Sequence, residues 1–128
     1  MSQVPADLRF TWRHEWVRLE ADGTVTVGIS HHAQNALGDT VFIEFPEIGT
    51  VAVAGEPISS IESTNAASDI YAPVGGKVVQ VNTVGSLLVL LNSDPYAAWL
   101  FRLEPSDGNE LDSLDLLDAA GYKEAFGE

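Results

Sequence analysis

Histidine and serine side chains are the groups in this sequence best suited to acid–base, nucleophilic or metal chemistry. The three histidines are His14, His31 and His32. His31 and His32 are adjacent on a predicted helix and therefore point in different directions, which disfavours a shared metal ion. Four serines lie close together, but no nucleophile-elbow pattern surrounds them; they are Ser59, Ser60, Ser63 and Ser68. The sequence predicts neither a metal site nor an independent enzyme.

Composition excludes further classes of function. The 128 residues contain no cysteine, so disulfides and thiolate chemistry are absent. Six Lys and Arg residues against 19 Asp and Glu residues give a net charge of −13. Such a chain repels phosphate backbones and anionic lipid surfaces, which predicts no nucleic-acid partner and no membrane attachment. The longest apolar run, 87–91, is too short to cross a bilayer, and no apolar signal core opens the chain, so we expect a cytoplasmic protein.

Gly and Pro divide the first hundred residues into short segments rich in β-branched side chains. The regular spacing of such segments, with turns between them, is typical of a small barrel or sandwich. The predicted strands are 24–29, 40–45, 51–54, 58–61, 77–81 and 99–103. We expect a single domain over 1–128, with a β body at about 8–104.

Two stretches carry helix signals. Ser30 can cap a short helix over 31–37, which Gly38 would end. Near the C-terminus, apolar residues recur at helical spacing and predict one or two amphipathic helices within about 107–126; they are Leu111, Leu114, Leu117, Tyr122 and Phe126.

A faint repeat relates segment 55–63 to segment 75–83, with Ile58 matching Val78 and Ile61 matching Val81. Two similar strand units joined by the 64–73 connection indicate a quasi-symmetric sheet whose halves face each other. Chance similarity between short β segments explains the same pattern equally well.

Three long motifs resemble the H protein of the glycine cleavage system: HEWVRLEADGTVTVGISHHAQNALGDTVFIEFPEIGT, GEPISSIESTNAASDIYAPVGGKVVQVN and LNSDPYAAWLFRLEP. The likeness extends over about 4–126. It implies a mainly β fold, a lipoyl-type barrel-sandwich of two quasi-symmetric sheets with a short internal helix and C-terminal helices. It also implies a carrier and not an enzyme.

In that family a Lys in a tight hairpin carries a lipoyl group, attached by a lipoate ligase. The resemblance implies that this arm accepts an aminomethyl group from the pyridoxal-phosphate-dependent glycine decarboxylase and presents it to the aminomethyltransferase. The reduced arm then visits dihydrolipoamide dehydrogenase. The chemistry belongs to the lipoate cofactor, and the protein supplies the mount.

Asn65 occupies the position at which the family has this Lys. The matching attachment hairpin consists of Glu62, Ser63, Thr64 and Ala66 around it. A carboxamide nitrogen shares its lone pair with its carbonyl and is not a nucleophile, so we expect no covalently bound lipoate. Lys77 and Lys123 lie away from the predicted hairpin tip and are poor substitutes.

The resemblance also implies a pocket that holds the amine of the loaded arm, with Glu15, Ser68 and Asp69 at its matching positions. Arg13 stands where the family often has a small polar residue, and its guanidinium would pair with Glu15 or repel a cationic cargo. The alternative interpretation treats Glu15 and Asp69 as ordinary surface acids.

Segment 83–90 is strongly apolar where the family usually has a polar loop, and it would extend a strand or expose an apolar patch. Two functional hypotheses follow. One is a carrier that lacks only its attachment residue; the other is an unlipoylated interaction or regulatory scaffold that docks on lipoyl-dependent enzymes. A biotin carrier is disfavoured because the Met-Lys-Met-like apex is absent and Met1 is the only methionine.

Overall fold

A computed structural model describes residues 8–83, 87–105 and 116–126. Over these residues the chain forms short strands and three helices. In chain order they are β1 (Arg9–Phe10), β2 (Glu15–Leu19), β3 (Val25–Ile29), α1 (His31–Leu37), β4 (Thr40–Glu44), β5 (Val51–Ala52), β6 (Pro57–Ser63), β7 (Ala67–Tyr71), β8 (Gly76–Val81), α2 (Leu87–Ser93), β9 (Phe101–Pro105), β10 (Leu117–Asp118) and α3 (Ala119–Phe126).

The strands form two antiparallel sheets, which confirms the mainly β prediction. One sheet has seven strands in the order β10-β1-β2-β3-β9-β8-β5, and the other has three in the order β4-β6-β7. Within the described ranges neither sheet closes on itself. Of the two predicted architectures, a barrel or a sandwich, the chain therefore forms the sandwich. The two segments of the faint repeat fall in opposite sheets, on β6 and on β8.

Strand β7 was not predicted, because 64–73 was interpreted as a connection between two strands. Ile70 is its one buried side chain, so β7 lacks the alternation that marks a strand. Strands β1 and β2 were missed as well: β1 has two residues, and the first three residues of β2 are all buried. The predicted strand at 51–54 shortens to the two residues of β5.

Helix α1 has the bounds that its capping residues predict. The Ser30 hydroxyl accepts a hydrogen bond from the Ala33 N–H (3.2 Å), and the Gly38 N–H donates to the Gln34 carbonyl (3.0 Å). Gly38 has φ +85°, a conformation that side-chain-bearing residues rarely adopt. The predicted cap and stop are both confirmed.

The apolar run 87–91 forms helix α2 and not a strand extension. Its Leu87 and Leu91 are buried, whereas Val89 is exposed. The Asn92 side chain holds α2 against the edge of β4: its Oδ1 accepts from the Thr40 N–H (2.8 Å), and its Nδ2 donates to the Thr40 carbonyl (3.3 Å).

The C-terminal helical prediction holds only in part. Helix α3 begins at Ala119, whereas Leu117 belongs to β10 and pairs with Phe10 of β1. The spacing of Leu117 fits a helix, but its pairing with β1 holds the backbone of Leu117 in an extended conformation. Leu111 and Leu114 lie outside the described residues.

Strand β2 is buried on both faces, and this positions the site. Trp16 lies on one face with Phe10 and Tyr122 of the smaller core, while Val17 on the other face joins the main core between the sheets. Trp16 pairs in register with Gly28, and a Cβ at Gly28 would overlap the indole atoms Cε2, Cζ2 and Nε1. Glu15, two residues from Val17, therefore shares the face of Val17.

Replacing Gly28 with Ala will destabilise the protein by about 2 kcal/mol, because the added methyl group overpacks the Trp16 indole. Urea unfolding of G28A, W16F and the double variant measures the effect. A phenyl ring lacks the overlapping atoms, so the double variant will be less destabilised than the sum of the single changes. Strict additivity would contradict the proposed overlap.

Candidate functional site

The β6–β7 hairpin presents position 65 at its tip. Glu62 pairs with Ala67 across the hairpin, and residues 64–66 make the turn. The side chains of Glu62, Thr64, Asn65 and Ala66 are exposed, and Ser63 is half-buried. The structure therefore places the predicted attachment residues together on a protruding turn.

Ser63 fixes this turn to helix α1. Its hydroxyl donates to the Leu37 carbonyl (2.7 Å) and accepts from the N–H groups of Ala66 (3.0 Å) and Asn65 (3.2 Å). The Thr64 N–H adds a hydrogen bond to the Asp39 carbonyl (3.0 Å). The hairpin tip is thus held by the end of α1 through contacts that use backbone groups and Ser63.

Gly38 lets the tip lie close to the α1–β4 connection. A Cβ at Gly38 would lie 2.8 Å from Asn65 Nδ2, so the Asn65 amide covers the glycine. The sequence identified Gly38 as a helix stop, and the structure adds this second role beneath position 65.

Glu15 is a buried carboxylate that connects the two sheets. Its side chain is 2% exposed; Oε1 accepts from the Thr11 hydroxyl (2.6 Å), and Oε2 accepts a long hydrogen bond from the Tyr71 N–H of β7 (3.4 Å). Burial raises the pKa of Glu15, and the hydrogen bonds and the charge of Arg13 oppose that rise. Glu15 is therefore not the surface acid of the alternative interpretation.

Glu15 lines a cavity of about 230 Å³ together with Arg13, Thr11 and Tyr71. The Arg13 guanidinium lies over the Tyr71 ring, with Cζ 3.9 Å from the ring centroid. Trp12, Ala54, Gly55, Ala72, Pro73 and Leu116 complete the wall. Sequence reasoning named Glu15 and Arg13 but missed Tyr71, since only the fold brings it beneath the guanidinium.

Ser68 and Asp69 lie elsewhere on β7. Both are exposed, and neither lines the cavity that contains Glu15. The Ser68 hydroxyl is 3.4 Å from the Asp69 carbonyl oxygen. The structure does not bring the three predicted pocket residues into one cavity, and their part in holding an arm stays a prediction.

The remaining residues that could do chemistry make packing contacts. The His14 ring stacks on His32, with 4.2 Å between centroids, and His14 Nδ1 lies 2.7 Å from the Tyr122 hydroxyl. Across 8–83, 87–105 and 116–126, no three His, Asp or Glu side chains form a group that could hold a metal ion. Lys77 lies on β8 in the other sheet, and Lys123 lies on α3.

Comparison with known proteins identifies the family. Residues 8–128 match the family model described as glycine cleavage H-protein. The chain belongs to the glycine cleavage H-protein family. The chain is 60% identical to glycine cleavage system H protein 2 of Pseudomonas syringae pv. tomato, over the full length of both. It is 57% identical to the glycine cleavage system H protein of Azoarcus sp., over 95% of each chain.

A solved structure shares the fold of this H-protein family member. The crystal structure of a glycine cleavage system H protein from Mycobacterium marinum superimposes with a TM-score of 0.85 at 36% identity, over 98% of this chain and all of that one. H proteins are carriers and not enzymes, and the family carries lipoate. No helix in the described residues is long and apolar enough to span a membrane.

The raised pKa of Glu15 predicts a stability change with pH. Between the ordinary value of 4.5 and the higher pKa of the folded state, the folded protein keeps a proton that the unfolded chain has lost. Raising the pH through this window therefore removes stability from the parent and not from E15Q, so E15Q gains relative stability.

Chemical denaturation of the parent and E15Q at a series of pH values measures this trend. E20Q is the matched control with the opposite sign, because the Thr26 hydroxyl lowers the pKa of Glu20. E20Q will lose relative stability as the pH rises towards 4.5. A stability difference between E15Q and the parent that does not change with pH would contradict the raised pKa of Glu15.

Proposed function

We propose that this chain is a glycine cleavage carrier protein that lacks the acceptor amine for its lipoyl arm. The observation that supports this proposal is Asn65 at the exposed tip of the β6–β7 hairpin. Lipoylation joins the carboxyl carbon of activated lipoate to a side-chain amine. The Asn65 carboxamide has no nucleophilic lone pair, so this chain does not fit a covalent lipoyl group.

The two lysines offer no replacement. Lys77 lies on β8, whose neighbours are β5 and β9 in the seven-stranded sheet, whereas the hairpin belongs to the three-stranded sheet. Lys123 lies in the last turn of α3, which packs beside β1 and β10. Neither amine lies on a tight turn between two strands, where a lipoate ligase would recognise it.

The rest of the hairpin retains the form of a mount. Ser63 and the backbone of Thr64 hold the tip to α1 without using the Asn65 side chain. A lysine at position 65 would extend from the same exposed turn. The partners that this proposal assigns are glycine decarboxylase, aminomethyltransferase, dihydrolipoamide dehydrogenase and lipoate ligase, met in the cytoplasm by a single-domain protein.

The second candidate function is an unlipoylated scaffold that docks on these enzymes and regulates them. The observation that favours it is the ordered, exposed hairpin on a chain with a net charge of −13. That charge accelerates association with basic surfaces. A carrier without cargo that still docks would occupy the enzyme in place of a loaded one.

Substituting Asn65→Lys will restore lipoylation. After co-expression with a lipoate ligase and free lipoate, the intact mass of N65K will increase by one lipoyl group while the parent stays unmodified. N65Q is the matched control, because its longer side chain still ends in an amide. A lipoylated parent would overturn the proposal, and peptide mapping would then identify Lys77 or Lys123. An unmodified N65K would show that the hairpin no longer presents its tip to the ligase.

Docking separates the two candidate functions. The scaffold function predicts that excess parent protein slows aminomethyl loading of a lipoylated H protein by glycine decarboxylase. S63A, which loses the hydroxyl contacts to Leu37, Asn65 and Ala66, will inhibit less. Circular dichroism of S63A is the control, and it will check that the variant is folded. Loading that is unchanged by a large excess of parent would exclude the scaffold and leave a carrier that lacks its acceptor.

A further inference from the structure

An apolar groove lies between strand β4 and helix α2, apart from the cavity that contains Glu15. Its volume is about 360 Å³, within the range of about 300–1,000 Å³ that is typical of binding sites. Six of its wall residues are apolar: Val41, Phe42, Ile43, Phe45, Leu87 and Leu88. Val41 and Phe42 are each 52% exposed, and open apolar surface of this kind marks interaction sites.

Helix α2 continues this apolar surface without a charged residue. Val89 and Leu90 follow the two wall residues of α2 and are both exposed. The sequence from 78 to 93 contains no Asp, Glu, Lys or Arg. Because the family usually has a polar loop where 83–90 is apolar, the α2 side of the groove is a feature of this chain.

Carboxylates border the groove on the side of the three-stranded sheet. Glu62 on β6 pairs with Phe42 on β4, and Glu44 lies two residues from Phe42 on the same face of the sheet. Both side chains are exposed. Asp69 on β7 adds a third carboxylate, and the sequences of the three strands contain no Lys or Arg. The exposed ring of Phe42 is therefore surrounded by negative charge.

These charges decide among the candidate occupants of the groove. In a two-fold dimer the same patch faces itself, so a second copy would bring identical carboxylates against Glu44 and Glu62. Phosphate groups and anionic lipids are repelled for the same reason. A protein surface with Lys or Arg around an apolar side chain instead complements both the apolar wall and its acidic border.

We propose that the β4–α2 groove docks a basic protein segment. One large apolar side chain of that segment lies against Phe42 and Leu88, and its Lys or Arg side chains pair with Glu44 and Glu62. The inference goes beyond the proposed function, because among the described residues the wall of the groove does not include Asn65. It applies equally to a carrier without its acceptor and to a regulatory scaffold.

Selection from a library of random peptides displayed on phage tests the chemistry of the occupant. The parent chain is the target, and F42T is the counter-target that removes peptides bound elsewhere. Thr suits a half-exposed strand position, and urea unfolding will check that F42T is folded. We expect the remaining peptides to contain Leu, Ile, Met or Phe flanked by Lys or Arg.

Calorimetry with the most enriched peptide, made synthetically, then tests each part of the site. F42T will bind the peptide about tenfold more weakly than the parent does, the loss expected for a buried apolar anchor. V51T is the matched control, because Val51 is an exposed apolar residue of the other sheet, and it will bind like the parent.

The acidic border has its own variants. The double variant E44Q/E62Q will bind the peptide about tenfold more weakly at low salt, and added salt will weaken its binding less than that of the parent. E104Q removes an exposed carboxylate from β9 in the other sheet and will leave binding unchanged.

Four results would each overturn the inference. If no peptide survives the counter-selection with F42T, the groove docks no protein segment. Surviving peptides without Lys or Arg, or equal binding to the parent and to E44Q/E62Q, would show that the acidic border does not select the partner. Sedimentation equilibrium that finds a dimer of the parent but a monomer of F42T would identify a second copy as the occupant.

Discussion

The position of the Trp16 indole in the gap above Gly28 determines which side of β2 faces which part of the molecule. The indole is fully buried, and its Nε1 donates to the Pro95 carbonyl (3.1 Å). A shift of one residue in the β2–β3 register would move Trp16 into the space between the sheets and place Glu15 and Val17 outside. The packing of Trp16 on one face of β2 thus determines that the Glu15 carboxylate is buried on the other face.

The same β2–β3 pairing also positions the hairpin tip. Ile29 pairs with Glu15 at the end of β3, and the next residue, Ser30, caps helix α1. Seven helical residues later the chain reaches Gly38, directly beneath Asn65. Glu15 reaches the hairpin from its other end by accepting the Tyr71 N–H of β7. One strand pair therefore fixes both the tip of the hairpin and the far end of its second strand.

Sequence reasoning succeeded where the signal is local. The bounds of α1 follow from Ser30 and Gly38, and the alternation over 24–29 predicts β3. It failed where tertiary contacts decide. The apolar run 87–91 is equally compatible with a strand and with a buried helix turn, and Asn92 holding Thr40 favours the helix. The burial of Glu15 and the Arg13–Tyr71 contact both depend on segments that are far apart in sequence. No local pattern therefore predicts them.

Position 65 and the Glu15 cavity differ in how each can affect function. The tip is held by Ser63 and backbone groups, so the identity of residue 65 changes nucleophilicity and reach while the shape of the hairpin stays the same. Arg13 instead changes the charge of the cavity, because its guanidinium lines the same space as the Glu15 carboxylate. The nucleophile at the hairpin tip and the charge of this cavity therefore depend on different residues, Asn65 and Arg13.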